Sequence, residues 1–410
     1  MKTAPLEGLR VIDLAWVWSG PMVGYILADM GAEVIKVEHS ERLDNTRLRG
    51  SPIINGKKVE GKSIELGPYY HNLNRNKLSI KLNLKHPKGV QLFKDLVKET
   101  DIIIENFTPR TLDTLGFDYK RLKDLNPGLI VLSLSTAGQE GPISDMLGYA
   151  PVISSLSGLE SLVGYEGEPP LGMMTFGLSD PNAGTHGFFA LMVALYYREK
   201  TGEGLYIDMS QFEASCALLG EAMLEFQMSG RTLQSYGNGS KNQCPHGIYP
   251  CKGDDRWIAV SIDSNESWEK LIDAMGNPDW GKDADLQNQG GRFRRREELD
   301  KRLAAWTVQL NREDIVKTLQ SRGIAAVPVL SMEEQYANEH YQHRNIHQEV
   351  IHPLLGKEIL FTVPWKLNKT PGTIRKSAPL LGEHDTYVYE TILGLSQEDI
   401  KKLEEEKVIY

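Results

Sequence analysis

The sequence has few cysteines and no C-x-x-C pair. Only Cys216, Cys244 and Cys251 are present, and an odd, sparse set argues against a disulfide framework or a zinc ribbon. Basic residues are also outnumbered by acidic ones, 46 against 55, so the formal net charge is −9. A chain this acidic is a poor general binder of nucleic acid or anionic membranes. Any anionic ligand must therefore be held by a local cluster of cations.

Long apolar runs and targeting signals are missing as well. The longest apolar run, residues 187–197, is too short to span a bilayer. Residues 1–10 show no cationic region followed by an apolar stretch, so we expect no signal peptide and a cytoplasmic protein. The length of 410 residues predicts two or three domains.

The first 140 residues alternate between two kinds of segment. Apolar, β-branched runs predict strands at residues 9–15, 33–38, 101–105 and 129–134. Helical spacing predicts helices at residues 22–30, 88–99 and 120–125. This alternation predicts an α/β fold with a doubly wound parallel sheet, and such sheets bind ligands at the carboxyl ends of their strands. A smaller α/β domain is expected at about residues 230–323.

Two common nucleotide and hydrolase motifs are absent from this pattern. The first strand is followed by W-S-G-P-M-V-G rather than G-x-G-x-x-G, so a dinucleotide site is weakly supported. No G-x-S-x-G elbow is present, which gives hydrolase chemistry little support. Three histidines at helical spacing could gather a metal, but a solvated surface helix is the favoured interpretation: His340, His343 and His347.

One group of cations is a candidate anion site, with a solvated surface as the alternative: Arg75, Lys77, Lys81, Lys85, His86 and Lys88. Two tryptophans follow the first strand, and we expect different roles for them. Trp16 is expected in the core and Trp18 in the wall of an acyl pocket. The segment 237–240 (GNGS) is either a loop that closes on a ligand or an ordinary turn.

Asp180 stands directly before Pro181 at the start of a strongly apolar helix. An Asp at the N-cap followed by Pro at the first helical position is a common helix start. A catalytic role is compatible with capping, because the helix dipole and backbone N–H groups favour the ionised carboxylate that a nucleophile needs. The pattern alone leaves both interpretations open.

Six ordered blocks resemble the class III CoA-transferases (the CaiB/BaiF type, which includes formyl-CoA:oxalate, carnitine and benzylsuccinate CoA-transferases). The blocks are residues 6–38 (LEGLRVIDLAWVWSGPMVGYILADMGAEVIKVE), 74–89 (NRNKLSIKLNLKHPKG), 101–130 (DIIIENFTPRTLDTLGFDYKRLKDLNPGLI), 177–204 (GLSDPNAGTHGFFALMVALYYREKTGEG), 323–334 (GIAAVPVLSMEE) and 377–385 (SAPLLGEHD). The resemblance implies an interlocked-ring dimer, with a large Rossmann-like domain built from both chain ends and a small domain inserted between. The implied bounds are 1–200 for the first part of the large domain, 201–229 for a linker, 230–325 for the small domain and 326–410 for the return.

The resemblance also assigns roles to individual residues. The family nucleophile falls on Asp180. Contacts to CoA fall on Val17, Trp18, Ser19, His39, Leu82, Lys85, Asn106 and Phe107. The mobile glycine loop corresponds to residues 237–242, with Gly237 and Gly239, and the acyl-site stretch reads Gly148-Tyr149-Ala150. The implied co-substrate is a CoA thioester, with no tightly bound cofactor and no metal.

Several positions depart from the family pattern. Thr114 replaces an Arg, so Arg110 or Arg75 is expected to supply that phosphate contact, and His39 stands where a permanent cation is often found. The related α-methylacyl-CoA racemases use a His-Asp pair, but the corresponding stretch here is Gly148-Tyr149-Ala150, which favours a transferase. The racemase or isomerase reaction stays an alternative, as does a non-catalytic subunit of a heteromeric transferase.

The implied mechanism passes through an aspartyl anhydride and an aspartyl-CoA thioester. Every nucleophile is ionised at neutral pH, so no dedicated base is needed. The N–H groups of Asn182 and Ala183, with the glycine loop, are the expected oxyanion donors. Trp18, Tyr149 and the Met-rich residues 171–174 hint at a bulky or aromatic acyl pocket, such as one for an arylated dicarboxylate with succinyl-CoA as donor; simple packing is the alternative.

Overall fold

The computed structural model describes residues 4–50, 53–54, 57–58, 64–172 and 177–410. The chain divides into two units. The first comprises residues 1–160, 173–230 and 340–410, and the second comprises residues 161–172 and 231–339. Within the described part of the chain, no helix combines the length and apolarity needed to cross a membrane.

The strands are short, as is usual in α/β proteins. In chain order they are β1 (Arg10–Asp13), β2 (Glu33–Glu38), β3 (Ile53–Ile54), β4 (Lys57–Lys58), β5 (Leu78–Lys81), β6 (Ile102–Glu105), β7 (Ile130–Ser135), β8 (Tyr206–Ser210), β9 (His246–Pro250), β10 (Trp257–Ser261), β11 (Ala325–Val329), β12 (His347–His352) and β13 (Gly356–Phe361).

The helices vary more in length. They are α1 (Ser19–Asp29), α2 (Pro68–Asn74), α3 (Pro87–Lys98), α4 (Thr111–Thr114), α5 (Tyr119–Leu125), α6 (Ala150–Leu156), α7 (Ser179–Thr201), α8 (Gln211–Cys216), α9 (Gly220–Ser229), α10 (Asn265–Ala274), α11 (Gln289–Arg294), α12 (Arg296–Thr307), α13 (Arg312–Gln320), α14 (Met332–Ala337), α15 (Glu339–Arg344) and α16 (Gln397–Glu405).

The first unit is organised around a six-stranded sheet in the order β5-β2-β1-β6-β7-β8. All five pairings between neighbouring strands are parallel. The predicted α/β fold with a parallel, doubly wound sheet is therefore confirmed. Chain order reverses between β1 and β6, and ligands bind at such a switch point, outside the carboxyl ends of the strands.

Alternating side chains of these strands build two cores, because successive residues of a strand face opposite sides of the sheet. Ile12 and Ile103 belong to the core that includes α3 and residues near the C-terminus. Val11 and Ile104 belong to the opposite core, which α1 and α7 complete. Both faces of the sheet are covered, which explains why its strands read as nearly continuous apolar runs.

The second unit contains the antiparallel sheet β11-β10-β9. Its core surrounds the fully buried Trp268 and includes residues of α10, α12 and α13.

The histidines that were predicted to share a surface helix do not all do so. His340 and His343 lie on α15, whereas His347 begins β12 and pairs with Phe361 of β13. The helical spacing ends because the chain turns into a hairpin.

Candidate active site

The loop after β1 is tied to the end of β6 at the switch point of the sheet. The backbone N–H of Trp16 donates to Oδ1 of Asn106 over 2.8 Å, and Nδ2 of Asn106 donates to the carbonyl of Trp16 over 2.7 Å. Asn106 was predicted to contact CoA. In the structure its amide group holds the backbone of the neighbouring loop in place.

The next residue in this loop, Val17, has a left-handed backbone with φ of 69°. This region costs a β-branched residue about 1–3 kcal/mol, so neighbouring groups must stabilise it. The N–H of Val17 donates to Oδ1 of Asp44 over 3.2 Å. Asp44 in turn accepts from Nζ of Lys36 over 2.9 Å, and both of these side chains are fully buried. A buried ion pair therefore anchors the strained turn.

Helix α1 begins at Ser19, directly after this turn, and brings two donors to Asp180. The backbone N–H and the hydroxyl of Ser19 lie against the Asp180 carboxylate, and each acts to lower its pKa. Ser19 itself is buried, so these donors are pre-positioned rather than mobile. The structure thus places one predicted CoA contact, Ser19, against the predicted nucleophile.

The sequence pattern predicts Asp180 as the N-cap of its helix, but the structure shows otherwise. Helix α7 begins one residue earlier, at Ser179, and its N-cap residue is Leu178. The N–H of Asp180 donates to the carbonyl of Gly177 over 3.2 Å, which extends the helical turn upstream. Pro181 then occupies the third position, which is tolerated because the first-turn N–H groups have no acceptor within the helix.

The pKa of Asp180 is raised from its ordinary value of 3.8 to about 6. Loss of solvent around the carboxyl group is the main cause, and it outweighs the hydrogen bonds from Ser19 and the positive charge of Arg49. The predicted stabilisation of the ionised form is therefore smaller than the desolvation that opposes it. At neutral pH the carboxylate is still mostly ionised, and poor solvation makes it a more reactive nucleophile.

Gly177 allows the groups around Asp180 to approach closely. A Cβ atom at this position would lie 2.8 Å from Cβ of Ala150, 3.5 Å from Oδ2 of Asp180 and 3.6 Å from Cζ3 of Trp18. Trp18 therefore borders the nucleophile, where the sequence had suggested the wall of an acyl pocket. Met173 and Met174, which the sequence had suggested for the same pocket, lie outside the described residues.

Tyr149 and Arg49 complete the surroundings of Asp180. Tyr149 precedes α6 and exposes 58% of its surface. The guanidinium carbon of Arg49 lies 5.9 Å from the centre of the Tyr149 ring, within the range of a cation–π contact. Sequence reasoning missed Arg49. The available signal was its position in an Arg-rich loop after β2, a strand whose carboxyl end belongs to the predicted ligand edge.

A cavity opens at the carboxyl ends of β1, β2 and β6. Four of the predicted CoA contacts line this cavity: His39, Leu82, Lys85 and Phe107. Trp16 also lines it, which corrects the prediction that Trp16 is a core residue. The Trp16 and Phe107 rings meet edge to face, with centroids 6.3 Å apart, and such an apolar wall suits a flat heterocycle.

The cations at this cavity differ from those expected. Burial lowers the pKa of His39, and its buried Nδ1 has no hydrogen-bond partner among the described residues. Arg42, which sequence reasoning missed, lines the same cavity, and its guanidinium carbon lies 5.4 Å from the Trp16 ring. Arg42 and Lys85 therefore provide the positive charge that a neutral His39 cannot.

Most of the other predicted phosphate-binding cations are engaged elsewhere. Arg75 is buried and donates to Asp29 over 2.7 Å, so it cannot replace the phosphate contact that Thr114 lacks. Arg110 is exposed and pairs with Asp145 over 3.1 Å, and it does not line the cavity of Lys85. Three further members of the cluster have acidic partners: Lys77 with Asp13, Lys81 with Asp385 and Lys88 with Glu406. His86 instead caps α3, where its Nδ1 accepts from the N–H of Lys88.

The remaining predicted groups are the glycine loop and the first N–H groups of α7. Gly237 and Gly239 belong to the second unit, where they line a cavity together with residues of β9, β10 and β11. The N–H of Gly239 donates to the carbonyl of Tyr236 over 2.9 Å, so this segment forms a turn. The N–H of Asn182 donates to the carbonyl of Leu178, which leaves it unavailable as the predicted oxyanion donor.

Comparison with known proteins gives consistent matches along the chain. The sequence profile of CoA-transferase family III matches residues 6–385. The chain is 31% identical over 405 residues to succinyl-CoA–D-citramalate CoA-transferase of Chloroflexus aurantiacus, covering 99% of this chain and 98% of that protein. It is 32% identical over 410 residues to the β subunit of succinyl-CoA–L-malate CoA-transferase of the same organism, with coverage of 99% and 98%.

A solved structure gives the same result for the fold. The crystal structure of a CaiB/BaiF family protein from Brucella suis is 28% identical and superposes with a TM-score of 0.86. The match covers 95% of this chain and 100% of that one. Together with the sequence matches, this shows that the chain belongs to CoA-transferase family III, the CaiB/BaiF family, and is a CoA-transferase.

Proposed function

We propose that this enzyme transfers CoA from succinyl-CoA to a second dicarboxylate, with Asp180 as the nucleophile. The observation that carries the proposal is the poorly solvated Asp180 carboxylate, which lies against the N–H and hydroxyl of Ser19 beside the Trp18 ring. The two relatives described above are named for succinyl-CoA with citramalate or malate. Donor and acceptor would then both be small dicarboxylates.

The reaction would proceed through four exchanges at one carboxylate. An oxygen of Asp180 attacks the thioester carbon, the C–S bond breaks, and CoA leaves as a thiolate with a mixed anhydride on Asp180. The thiolate attacks the aspartyl carbonyl, which releases succinate and leaves an aspartyl-CoA thioester. The acceptor carboxylate then attacks this thioester, and the thiolate finally attacks the acceptor carbonyl. Each nucleophile enters already ionised, so no proton has to be transferred.

Ser19 would assist at each stage. Its N–H and hydroxyl hold the free carboxylate before the reaction. After acylation the same donors face the aspartyl carbonyl oxygen, where negative charge develops in the tetrahedral intermediates. This role replaces that expected for Asn182, whose N–H is used within the helix.

The nucleotide part of CoA would occupy the cavity at the carboxyl ends of β1, β2 and β6. The Trp16 and Phe107 rings offer an apolar wall for the adenine, and Arg42 and Lys85 offer charge for the phosphates. Trp16 lies three residues before Ser19, the first residue of α1. CoA would therefore run along this loop, past Val17 and Trp18, from the cavity towards Asp180.

We also propose that a second copy or a homologous subunit covers part of the first unit, as in an interlocked dimer. Helix α9 has no buried residue, and it exposes apolar side chains along most of its length: Met223, Leu224, Phe226 and Met228. Such a face needs a partner in water. The domain bounds 1–200, 230–325 and 326–410 stay predictions. Activity of the chain purified alone would exclude an obligatory heteromer.

The test of the nucleophile is Asp180→Asn, with Asp95→Asn on the exposed face of α3 as the matched control. With succinyl-CoA and L-malate or citramalate, we expect Asp180→Asn to lose turnover by at least about 10³-fold, as for other covalent nucleophiles, and the control to keep it. Acceptor labelled with ¹⁸O in its carboxylate should pass label through Asp180 into succinate. Turnover of Asp180→Asn near the wild-type rate, or unlabelled succinate, would contradict the proposal.

A further inference from the structure

Arg49 is an exposed cation that the four exchanges above do not use. It follows the short 3₁₀ turn Asn45–Leu48, and its N–H donates to the carbonyl of Thr46 over 3.2 Å. The preceding Arg47 is buried and paired with Glu38 over 2.9 Å, which fixes the backbone of this segment. The side chain of Arg49 therefore projects from an anchored base into solvent.

Two groups define the position of the Arg49 guanidinium. Its central carbon lies 5.9 Å from the centre of the Tyr149 ring. Its positive charge also stabilises the ionised Asp180. The guanidinium thus contacts an aromatic face and lies near enough to Asp180 for its charge to act on that carboxylate, and no carboxylate of the described residues is hydrogen-bonded to it. Within the described part of the chain, the donors of Arg49 therefore stay available to an anionic ligand.

The proposed substrates present such an anion. Only one carboxyl group of a dicarboxylate forms the thioester, so the other stays negatively charged throughout the reaction. That charge would be repelled by Asp180 unless a cation lay nearby. A guanidinium is well suited to the role, because its planar fork forms two parallel hydrogen bonds with a carboxylate and can rest on an aromatic ring.

We propose that Arg49 binds the unreacted carboxylate of the dicarboxylate and so selects dicarboxylates over monocarboxylates of the same length. The inference rests on the proposed function, in which Asp180 exchanges acyl groups at this position. Because donor and acceptor react in turn with the same carboxylate, one arginine serves both. A site that pairs a polar group rejects analogues lacking that group, since its own donors are then left unpaired.

The test compares succinyl-CoA with butyryl-CoA, which has the same four-carbon acyl chain without the second carboxylate. For Arg49→Gln we expect kcat/KM with succinyl-CoA to fall about 10- to 100-fold, the range for a charged hydrogen-bonding group. The value with butyryl-CoA should stay within about threefold, because that substrate makes no such pair. If butyryl-CoA turnover is too slow, its inhibition constant against succinyl-CoA replaces kcat/KM.

Arg42→Gln is the matched control, since it removes an exposed arginine of the same loop at the cavity assigned to the nucleotide. It should weaken both thioesters by the same factor, because they share the CoA moiety. Guanidinium ion added to Arg49→Ala should restore part of the activity with succinyl-CoA and none with butyryl-CoA. These two results would separate carboxylate recognition from a structural role.

Two outcomes would overturn the inference. One is an equal loss for succinyl-CoA and butyryl-CoA in Arg49→Gln, and the other is a wild-type enzyme that does not distinguish the two thioesters. If either occurs while Asp180→Asn is inactive, the proposed nucleophile stands and only the role of Arg49 fails. An active Asp180→Asn variant would instead refute the proposed function itself.

Discussion

Ser19→Ala should move the pH dependence of the reaction, because it removes one of the two donors that stabilise the ionised Asp180. The pKa of Asp180 is about 6, above its ordinary value. The nucleophile is therefore present above this pH, and activity is lost as the pH falls through about 6. Ser19→Ala removes a group that lowers this pKa, so the loss should begin at a higher pH.

The size of this effect follows from the hydrogen bond that is removed. A hydroxyl bonded to a carboxylate contributes about 1.5–3 kcal/mol, and about 1.4 kcal/mol corresponds to one pH unit. The backbone N–H of Ser19 remains in the variant and compensates in part. We therefore expect the acid limb of kcat/KM to move up by about one pH unit, so that about half of Asp180 is ionised at pH 7 instead of about nine-tenths.

The assay is kcat/KM for succinyl-CoA from pH 4.5 to 9 at constant ionic strength. Substrate carboxylates titrate near pH 4, whereas the phosphate monoester of CoA titrates near pH 6. The difference between wild type and Ser19→Ala, which share this substrate, therefore reports the protein. Ser179→Ala is the control, because the Ser179 hydroxyl donates to the carbonyl of Ala150 over 3.2 Å instead of to Asp180. An acid limb that is identical in wild type and Ser19→Ala would refute the reasoning, as would the same displacement in Ser179→Ala.

Two further predictions concern the support of the site. Asp44→Ala leaves the fully buried Lys36 ammonium without its partner, so we expect the free energy of unfolding in urea to fall by about 3–5 kcal/mol, and a loss below about 1 kcal/mol would contradict this. Gly177→Ala places a Cβ atom 2.8 Å from that of Ala150, so overpacking should lower the free energy of unfolding by about 1–3 kcal/mol and, by shifting groups beside Asp180, reduce kcat/KM. Gly128→Ala, whose added Cβ would meet no atom closer than 3.6 Å, should keep wild-type stability and kcat/KM, and equal behaviour of the two glycine variants would argue against the close packing.

Much of the sheet could be predicted from local patterns. The predicted strand 33–38 coincides with β2, and the predicted helix 88–99 differs from α3 by one residue at each end. These segments were predictable because backbone preference and the alternation of apolar and polar side chains depend on only a few neighbouring residues. The same reasoning located the ligand edge, where His39 lines the cavity. Leu82 and Lys85, which line it too, were indicated by the family resemblance.

The roles of charged residues were harder to predict. The sequence around a cation does not show whether its side chain faces a ligand or a buried carboxylate. Arg75 belonged to the candidate anion site but pairs with Asp29, 46 residues earlier. Arg42 and Arg49 stood out less in the sequence, yet they lie at the cavity and beside Asp180. The partner of a charge is decided by contacts between distant segments, which a local pattern does not contain.

The sequence by itself determined the parallel α/β fold, through runs of apolar residues that suit strands covered on both faces. It also determined the family, through six blocks spread along the chain, and it identified Asp180 at the start of a long helix. Only the tertiary structure decided how Asp180 is held. Ser19 lies 161 residues away in the chain, and it reaches the carboxylate because α1 and α7 pack on the same face of the sheet. The desolvation that raises the Asp180 pKa exists only once those helices have packed.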